Sequence, residues 1–139
     1  MRVQLGTVGH FSLAVADPLA SARWWTRSFD LDEVFRFDGG VAIGNAAITI
    51  ALFRGRPDPT VLEHLSFHLD DVDALRAAVE TLRAAGVELE DPGDEIGPEG
   101  AGSPHWSLWF HDPDGYRWEL SVQNAAHSDG TLRDTRRAT

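Results

Sequence analysis

The sequence has no cysteine and no lysine, and only one tyrosine and one methionine, in 139 residues. Without thiols there are no disulfides and no thiolate metal centres, so imidazole and carboxylate are left as the strong side-chain ligands. Without lysine, arginine supplies all 12 basic side chains against 22 acidic ones, a formal net charge of -10. A surface of that sign repels phosphate backbones and anionic lipid, so no nucleic acid and no membrane partner is expected. No apolar run approaches membrane-spanning length, and residues 1–6 lack the apolar core of a signal peptide, so a cytoplasmic location is the default expectation. A hydrophobic content of 42% is ordinary for a globular chain, and the length suits one domain or two small halves sharing a core.

What the chain does have is a phrase spoken twice. His10-Phe11-Ser12-Leu13-Ala14-Val15-Ala16-Asp17 returns as His64-Leu65-Ser66-Phe67-His68-Leu69-Asp70-Asp71. Both copies read His, apolar, Ser, apolar, any, apolar, any, Asp, and both run into a helix-like segment. An internal repeat of this kind means that one supersecondary unit is used twice.

The first copy predicts a strand over 9–16, with Phe11, Leu13 and Val15 on one face and His10, Ser12, Ala14 and Ala16 on the other. Asp17-Pro18 then caps and opens a helix over 19–29, in which Trp24, Trp25 and Phe29 are core candidates. Short strands follow at 33–37, 41–43 and 46–53, separated by the turn signals Gly39-Gly40 and Gly44-Asn45. After a connector at 54–59 the order repeats. A strand at 63–69 leads to an amphipathic helix at 72–85, stopped by Gly86. Then come a short strand at 87–90, a long Gly/Pro/acid loop at 91–104, and a hairpin of 106–111 with 116–123 around Asp112-Pro113-Asp114-Gly115. The tail, 124–139, is expected to be flexible. The fold class is α+β: one domain over 1–139, built of two βαβββ modules at about 7–54 and 62–123.

Alternation in the last strand places Tyr116, Trp118, Leu120 and Val122 toward the helices, and Arg117, Glu119 and Ser121 on the opposite face. His10 and His64 fall on the non-core faces of their own strands. Two imidazoles in equivalent slots of a repeat, with one carboxylate on a matching face, point to a metal site that leaves positions open for water or substrate. Ser12, Ser66, Ser107 and Trp109 share that facing and would line a pocket for a small organic ligand. His68 is placed for a general base and Arg117 for a substrate anion or for neutralising Glu119. His105 ends the long loop near the mouth of the site, and His111 is read as structural.

These phrases, with Ser107-Leu108-Trp109-Phe110-His111-Asp112-Pro113-Asp114-Gly115-Tyr116-Arg117-Trp118-Glu119-Leu120, resemble the vicinal oxygen chelate superfamily of glyoxalases, bleomycin-resistance proteins and extradiol dioxygenases over about residues 7–123. The resemblance implies a curled mixed sheet around a metal-binding cup, with His10, His64 and Glu119 in the ligand slots, and a homodimer. It also makes departures visible. No Asp or Glu lies between Asp38 and Asp58, which argues against the four-ligand site of glyoxalase I-like members. The absence of lysine argues against a fosfomycin-type phosphonate site. The only tyrosine, Tyr116, is on the core side, away from the place an extradiol dioxygenase needs one.

The expected function is therefore metal-dependent chemistry on a small oxygen-rich substrate, by bidentate chelation and stabilisation of an oxyanion or enolate. The ion is divalent (Zn, Mn, Fe, Ni or Co). The alternative is a non-catalytic protein that sequesters a drug or natural product in the same cup. Loop 91–104 is a candidate lid.

Overall fold

The computed structural model describes residues 1–123, so the tail expected to be flexible lies outside the described residues. Two compact units appear: Met1–Pro59 with Pro113–Gly115, and Thr60–Asp112 with residues 116–123.

The first unit contains β1 (Phe11–Val15), α1 (Pro18–Ser28), β2 (Asp32–Phe37), β3 (Gly40–Gly44) and β4 (Thr49–Arg54). The second contains β5 (Leu65–His68), α2 (Val72–Ala84), β6 (Gly97–Pro98), β7 (Trp106–His111) and β8 (Arg117–Val122). The strand orders are β1-β4-β3-β2 and β5-β8-β7-β6, the same topology twice. In each sheet the first strand pairs parallel with the last, and the remaining pairs are antiparallel. The βαβββ repeat read from the sequence is thus present in the pairing itself. Among the described residues, no helix is long and apolar enough to cross a membrane.

Local chemistry sets the element ends. Asp17 caps α1 by accepting from Ala20 N–H at 3.2 Å, and Pro18 takes a first-turn position where its missing N–H costs nothing. Asp71 caps α2 in the same way, accepting from Ala74 N–H at 2.8 Å. Gly86, at φ +77°, ends α2: its N–H donates to Arg83 O at 3.0 Å, and Val87 N–H donates to Leu82 O at 2.9 Å. That pair of bonds is a Schellman motif, which needs a residue tolerant of the left-handed region.

Two expectations from the sequence are corrected. The last strand of the first unit begins at Thr49, not at residue 46, because Asn45 folds the chain into a turn. Its Oδ1 accepts from Ala47 N–H at 2.8 Å and Ile48 N–H at 3.0 Å, which removes those residues from the ladder. In the second unit the strand expected at 87–90 shrinks to one bridge, Leu89 opposite Phe110. The chain then bulges out through Asp91 (φ +53°) and returns as Gly97–Pro98, which pairs with Ser107 and Trp106. Glu95 pins the bulge by accepting from Gly93 N–H at 2.9 Å and from the Arg83 guanidinium on α2. The stretch expected to be all loop therefore carries the fourth strand of the sheet.

Burial follows the alternation. Leu13, Val15, Ile50, Leu52, Val41 and Ile43 pack with Trp25 and Ala22 in the first core, and Phe110, Trp118, Leu108 and Leu120 pack with Leu75, Val79 and Leu82 in the second. Phe67 stacks on Trp118 with ring centroids 5.5 Å apart.

Asp112 fastens the β7–β8 turn. Its Oδ1 accepts from Tyr116 N–H at 3.0 Å and its Oδ2 from the Trp118 indole N–H at 3.1 Å, while its own N–H donates to Tyr116 O at 3.1 Å. Asp112 is 6% exposed, so its removal strands two buried donors. Asp112→Ala should lower unfolding free energy by roughly 2–4 kcal/mol in urea melts, at about 1–3 kcal/mol per orphaned buried group. A loss below 1 kcal/mol would mean that the turn is held by something else.

Candidate metal and substrate site

The pairing of β5, β8 and β7 stacks polar residues into rungs on the face turned away from α2. Ser66, Glu119 and Trp109 are directly opposite one another across the three strands. His68, Ser121 and Ser107 form the next rung, with Gly97 of β6 at its end. Arg117 and His111 form the rung on the other side, and His64 immediately precedes β5 at that level. Every second-unit residue assigned to the site from the sequence (His64, Ser66, His68, Ser107, Trp109, Arg117 and Glu119) is on this one face. In the first unit His10 immediately precedes β1, the slot that His64 holds before β5, and Ser12 is one alternation further on. Tyr116 is 1% exposed and lies in the core, as its parity requires.

Glu119 is the unusual member. It is 2% exposed on a central strand, and its Oε2 has no hydrogen-bond partner. The carboxyl group is bonded by the Ser66 hydroxyl and approached by the Glu99 carboxyl and the His64 ring. Ser66 Oγ is 2.6 Å from Ser121 Oγ, which accepts from Gln123 Nε2 at 2.9 Å. The amide can only donate in that contact, and either serine can donate in the other. Burial pushes the Glu119 pKa up. The Ser66 bond opposes this, the Glu99 carboxyl adds to it, and the His64 ring again lowers it.

His64 and Arg117 are held by acids that the sequence reading did not assign. Glu63 meets His64 Nδ1, which leaves Nε2 as the nitrogen available to a ligand. Arg117 Nε donates to Glu90 at 3.0 and 3.2 Å, its guanidinium lies 3.9 Å above the Trp109 ring, and Glu63 is 3.8 Å from its Nη1. His64 also meets the edge of Trp109, with centroids 4.8 Å apart. His111 Nε2 is 3.5 Å from Glu90. Glu63 stands beside the repeated histidine, which was its one sequence signal. Glu90 and Glu99 belong to the bulged edge and had none. Among the described residues, no group of three or more His, Asp or Glu side chains is already gathered closely enough to hold a metal.

The doubled βαβββ unit is a fold that recurs among solved structures. The chain is similar to an integron cassette protein from the mobile metagenome of V. cholerae (22% identity, 88% of this chain and 98% of that one, TM-score 0.66). It is similar to the fosfomycin resistance protein FosX of Listeria monocytogenes (18% identity, 86% and 94%, TM-score 0.67) and to a lactoylglutathione lyase of Agrobacterium tumefaciens (18% identity, 85% and 94%, TM-score 0.66). At these identities the likeness establishes the fold alone. No curated protein matches the sequence. A family model matches residues 7–120, and the chain belongs to the Glyoxalase/Bleomycin resistance protein/Dioxygenase superfamily.

The raised Glu119 pKa has a consequence for stability. A folded-state value above the unfolded one means that the stabilisation is complete below the ordinary carboxylate pKa and is lost as pH rises through the folded value. Metal-free wild type should therefore match Glu119→Gln near pH 4 and become progressively less stable than it toward neutral pH. Urea midpoints measured across that range, with chelator present, test this; a gap that does not change with pH would contradict it.

Proposed function

We propose that the protein is a divalent-metal-dependent enzyme of this superfamily acting on a small, oxygen-rich organic substrate, with His10, His64 and Glu119 as metal ligands. The observation that carries the reading is the buried Oε2 of Glu119, a carboxylate oxygen out of water with no protein donor. A native fold keeps such a group only where something else compensates it. His64 supports the fit: with Nδ1 against Glu63, its Nε2 is presented in the way that carboxylate–histidine pairs present a metal ligand. Imidazole and carboxylate accept Zn²⁺, Mn²⁺, Fe²⁺, Ni²⁺ or Co²⁺, and selection among these follows availability.

When bound, the ion would act as a Lewis acid toward adjacent substrate oxygens and stabilise the oxyanion or enolate that develops on them. The chain's own residues do the rest. Ser66, donating to Glu119, fixes the carboxylate's orientation. Ser12 and Ser107 supply hydroxyls for substrate oxygens, and His68 takes or returns a proton. Trp109 forms an aromatic wall, and Arg117 stacks on that wall. Held by Glu90, Arg117 serves to orient a substrate anion and to offset the local acidity. Fosfomycin resistance and lactoylglutathione lyase, the printed activities of two neighbours, are both disfavoured as the activity of this chain. It lacks lysine, and it has no carboxylate between Asp38 and Asp58. We also propose a cytoplasmic, twofold homodimer, since a short sheet edge is commonly covered by a second copy.

Chelation distinguishes an enzyme from a protein that only sequesters an aromatic compound. Substrate turnover should vanish on chelator treatment and return with a divalent ion. His10→Ala, His64→Ala and Glu119→Ala should each weaken metal affinity by about 100-fold or more, at the upper end of what even outer ligand partners cost. Ligand binding unaffected by chelator and by His64→Ala would instead establish sequestration. Light scattering at micromolar concentration should give twice the chain mass of 15.3 kDa, and a monomer mass would remove the dimer from the proposal.

A further inference from the structure

We propose that residues 1–5 are a pairing strand that a second copy of this chain receives along the free edge of β2, each copy giving one strand and accepting one. This inference rests on the dimer reading above and names the two surfaces that would make the dimer.

The donated segment has the pattern of a strand without a sheet. Met1, Val3 and Leu5 alternate with Arg2 and Gln4, the period of a half-buried strand, and no acid or proline interrupts them. Val3 and Leu5 are nonetheless both 87% exposed. Among the described residues, no hydrogen bond engages residues 1–5, and they enter neither sheet. A run of apolar side chains left in water with its backbone unpaired marks a surface made for a partner.

The receiving edge is β2. It ends the order β1-β4-β3-β2, so one of its two backbone edges has no neighbouring strand. It is exposed from Asp32 to Arg36, and the exposed residues include Val34 and Phe35, at 57% and 56%. The pairing with β3 passes from Glu33 to Phe35, so Val34 stands outside that register and remains for a strand on the other side. Neither the lysine nor the proline that commonly guards a free edge is present in β2.

Charge selects the occupant. Residues 1–5 carry Arg2 and no acid, whereas β2 carries Asp32 and Glu33 against Arg36 alone, in a chain of net charge -10. Opposite charges across neighbouring strands are favourable and like charges are not, so the edge accepts this segment better than a second β2. The segment leads into β1, the opposite edge of its own sheet from β2. A second copy therefore supplies the strand without the chain crossing its own sheet. Two exchanges related by a twofold axis close the assembly and leave neither β2 edge open.

The test is light scattering of the full chain at micromolar concentration and on dilution, for wild type, Val3→Glu with Leu5→Glu, Val34→Glu and Val61→Glu. The first two variants should each raise the dimer dissociation constant about 30-fold or more, the loss expected from disrupting a central apolar contact. Val61, 72% exposed and outside both surfaces, controls for added charge and should leave the dimer intact. Urea midpoints of the variants, set against wild type diluted to monomer, check that the fold is kept. Amide exchange at residues 3–5 and Val34 should be slow in the dimer and quicken on dilution. Protection at residues 3–5 that dilution does not change would put the strand on its own chain and overturn the exchange. Equal dissociation by Val61→Glu would overturn it too, since net charge would then be the cause. A wild-type dimer that survives the variants in both surfaces would overturn this inference and leave the dimer reading standing. A wild-type monomer would overturn both.

Discussion

The second unit is organised around a carboxylate in a place that opposes its charge. Glu119 is on a central strand, bordered by Ser66 on one side and Trp109 on the other, with almost no access to water. A buried carboxylate is tolerated when its oxygens are compensated, and Oε2 has no hydrogen-bond partner. Ser66, the partner of Glu119 across the ladder, is hydrogen-bonded to Ser121, which accepts from Gln123. Around it two neighbouring side chains are restrained: His64 by Glu63, and Arg117 by Glu90 and the Trp109 ring. These contacts fix a polar face whose central carboxylate is held out of water, at some cost to the stability of the fold.

Much of this was legible because a strand has period two. Once His10 and His64 were recognised as the same slot of a repeat, the parity of each strand assigned Ser66, His68, Ser107, Trp109, Arg117 and Glu119 to the non-core face. The ladder partners agree with that assignment residue by residue. Both helices were legible from their caps, Asp17-Pro18 and Asp71, and from Gly86 at the end of the second. The architecture was legible for the same reason: a repeated phrase carries a repeated pairing scheme.

What was not legible depends on tertiary context. Asn45 displaces the start of β4 by using its own side chain as a turn acceptor, a competition that a hydrophobic pattern does not register. The edge of the second sheet is broken into Leu89 and Gly97–Pro98 by a bulge tied to α2 through Arg83 and Glu95. Gly-Pro has poor strand propensity, and it pairs here because it borders a formed neighbour. Glu90 and Glu99 gain their positions from that bulge and the hairpin after it, so no local pattern distinguished them from the other acids of the loop.

Comparing the two copies rung by rung shows how a duplicated unit divides its labour. The register that sets Ser66 opposite Glu119 and Trp109 in the second unit sets Ser12 opposite Ala51 and Ala42 in the first. The next rung replaces His68, Ser121 and Ser107 with Ala14, Phe53 and Gly40. Ala51 therefore occupies the position where a first-unit carboxylate would stand, which is the structural form of the missing acid between Asp38 and Asp58. In place of polar groups this face carries an aromatic cluster, with Phe37 4.7 Å from Phe53 and 5.7 Å from Phe35, centroid to centroid. Gly40 is fixed by that cluster, since a Cβ there would lie 2.4 Å from the Phe37 ring and 2.3 Å from the Leu52 carbonyl oxygen. Of the polar positions in the repeat, the first copy keeps His10 and Ser12. The same backbone scheme thus presents ionisable chemistry in one copy and an apolar aromatic surface in the other, and the difference lies in side chains that leave the pairing unchanged.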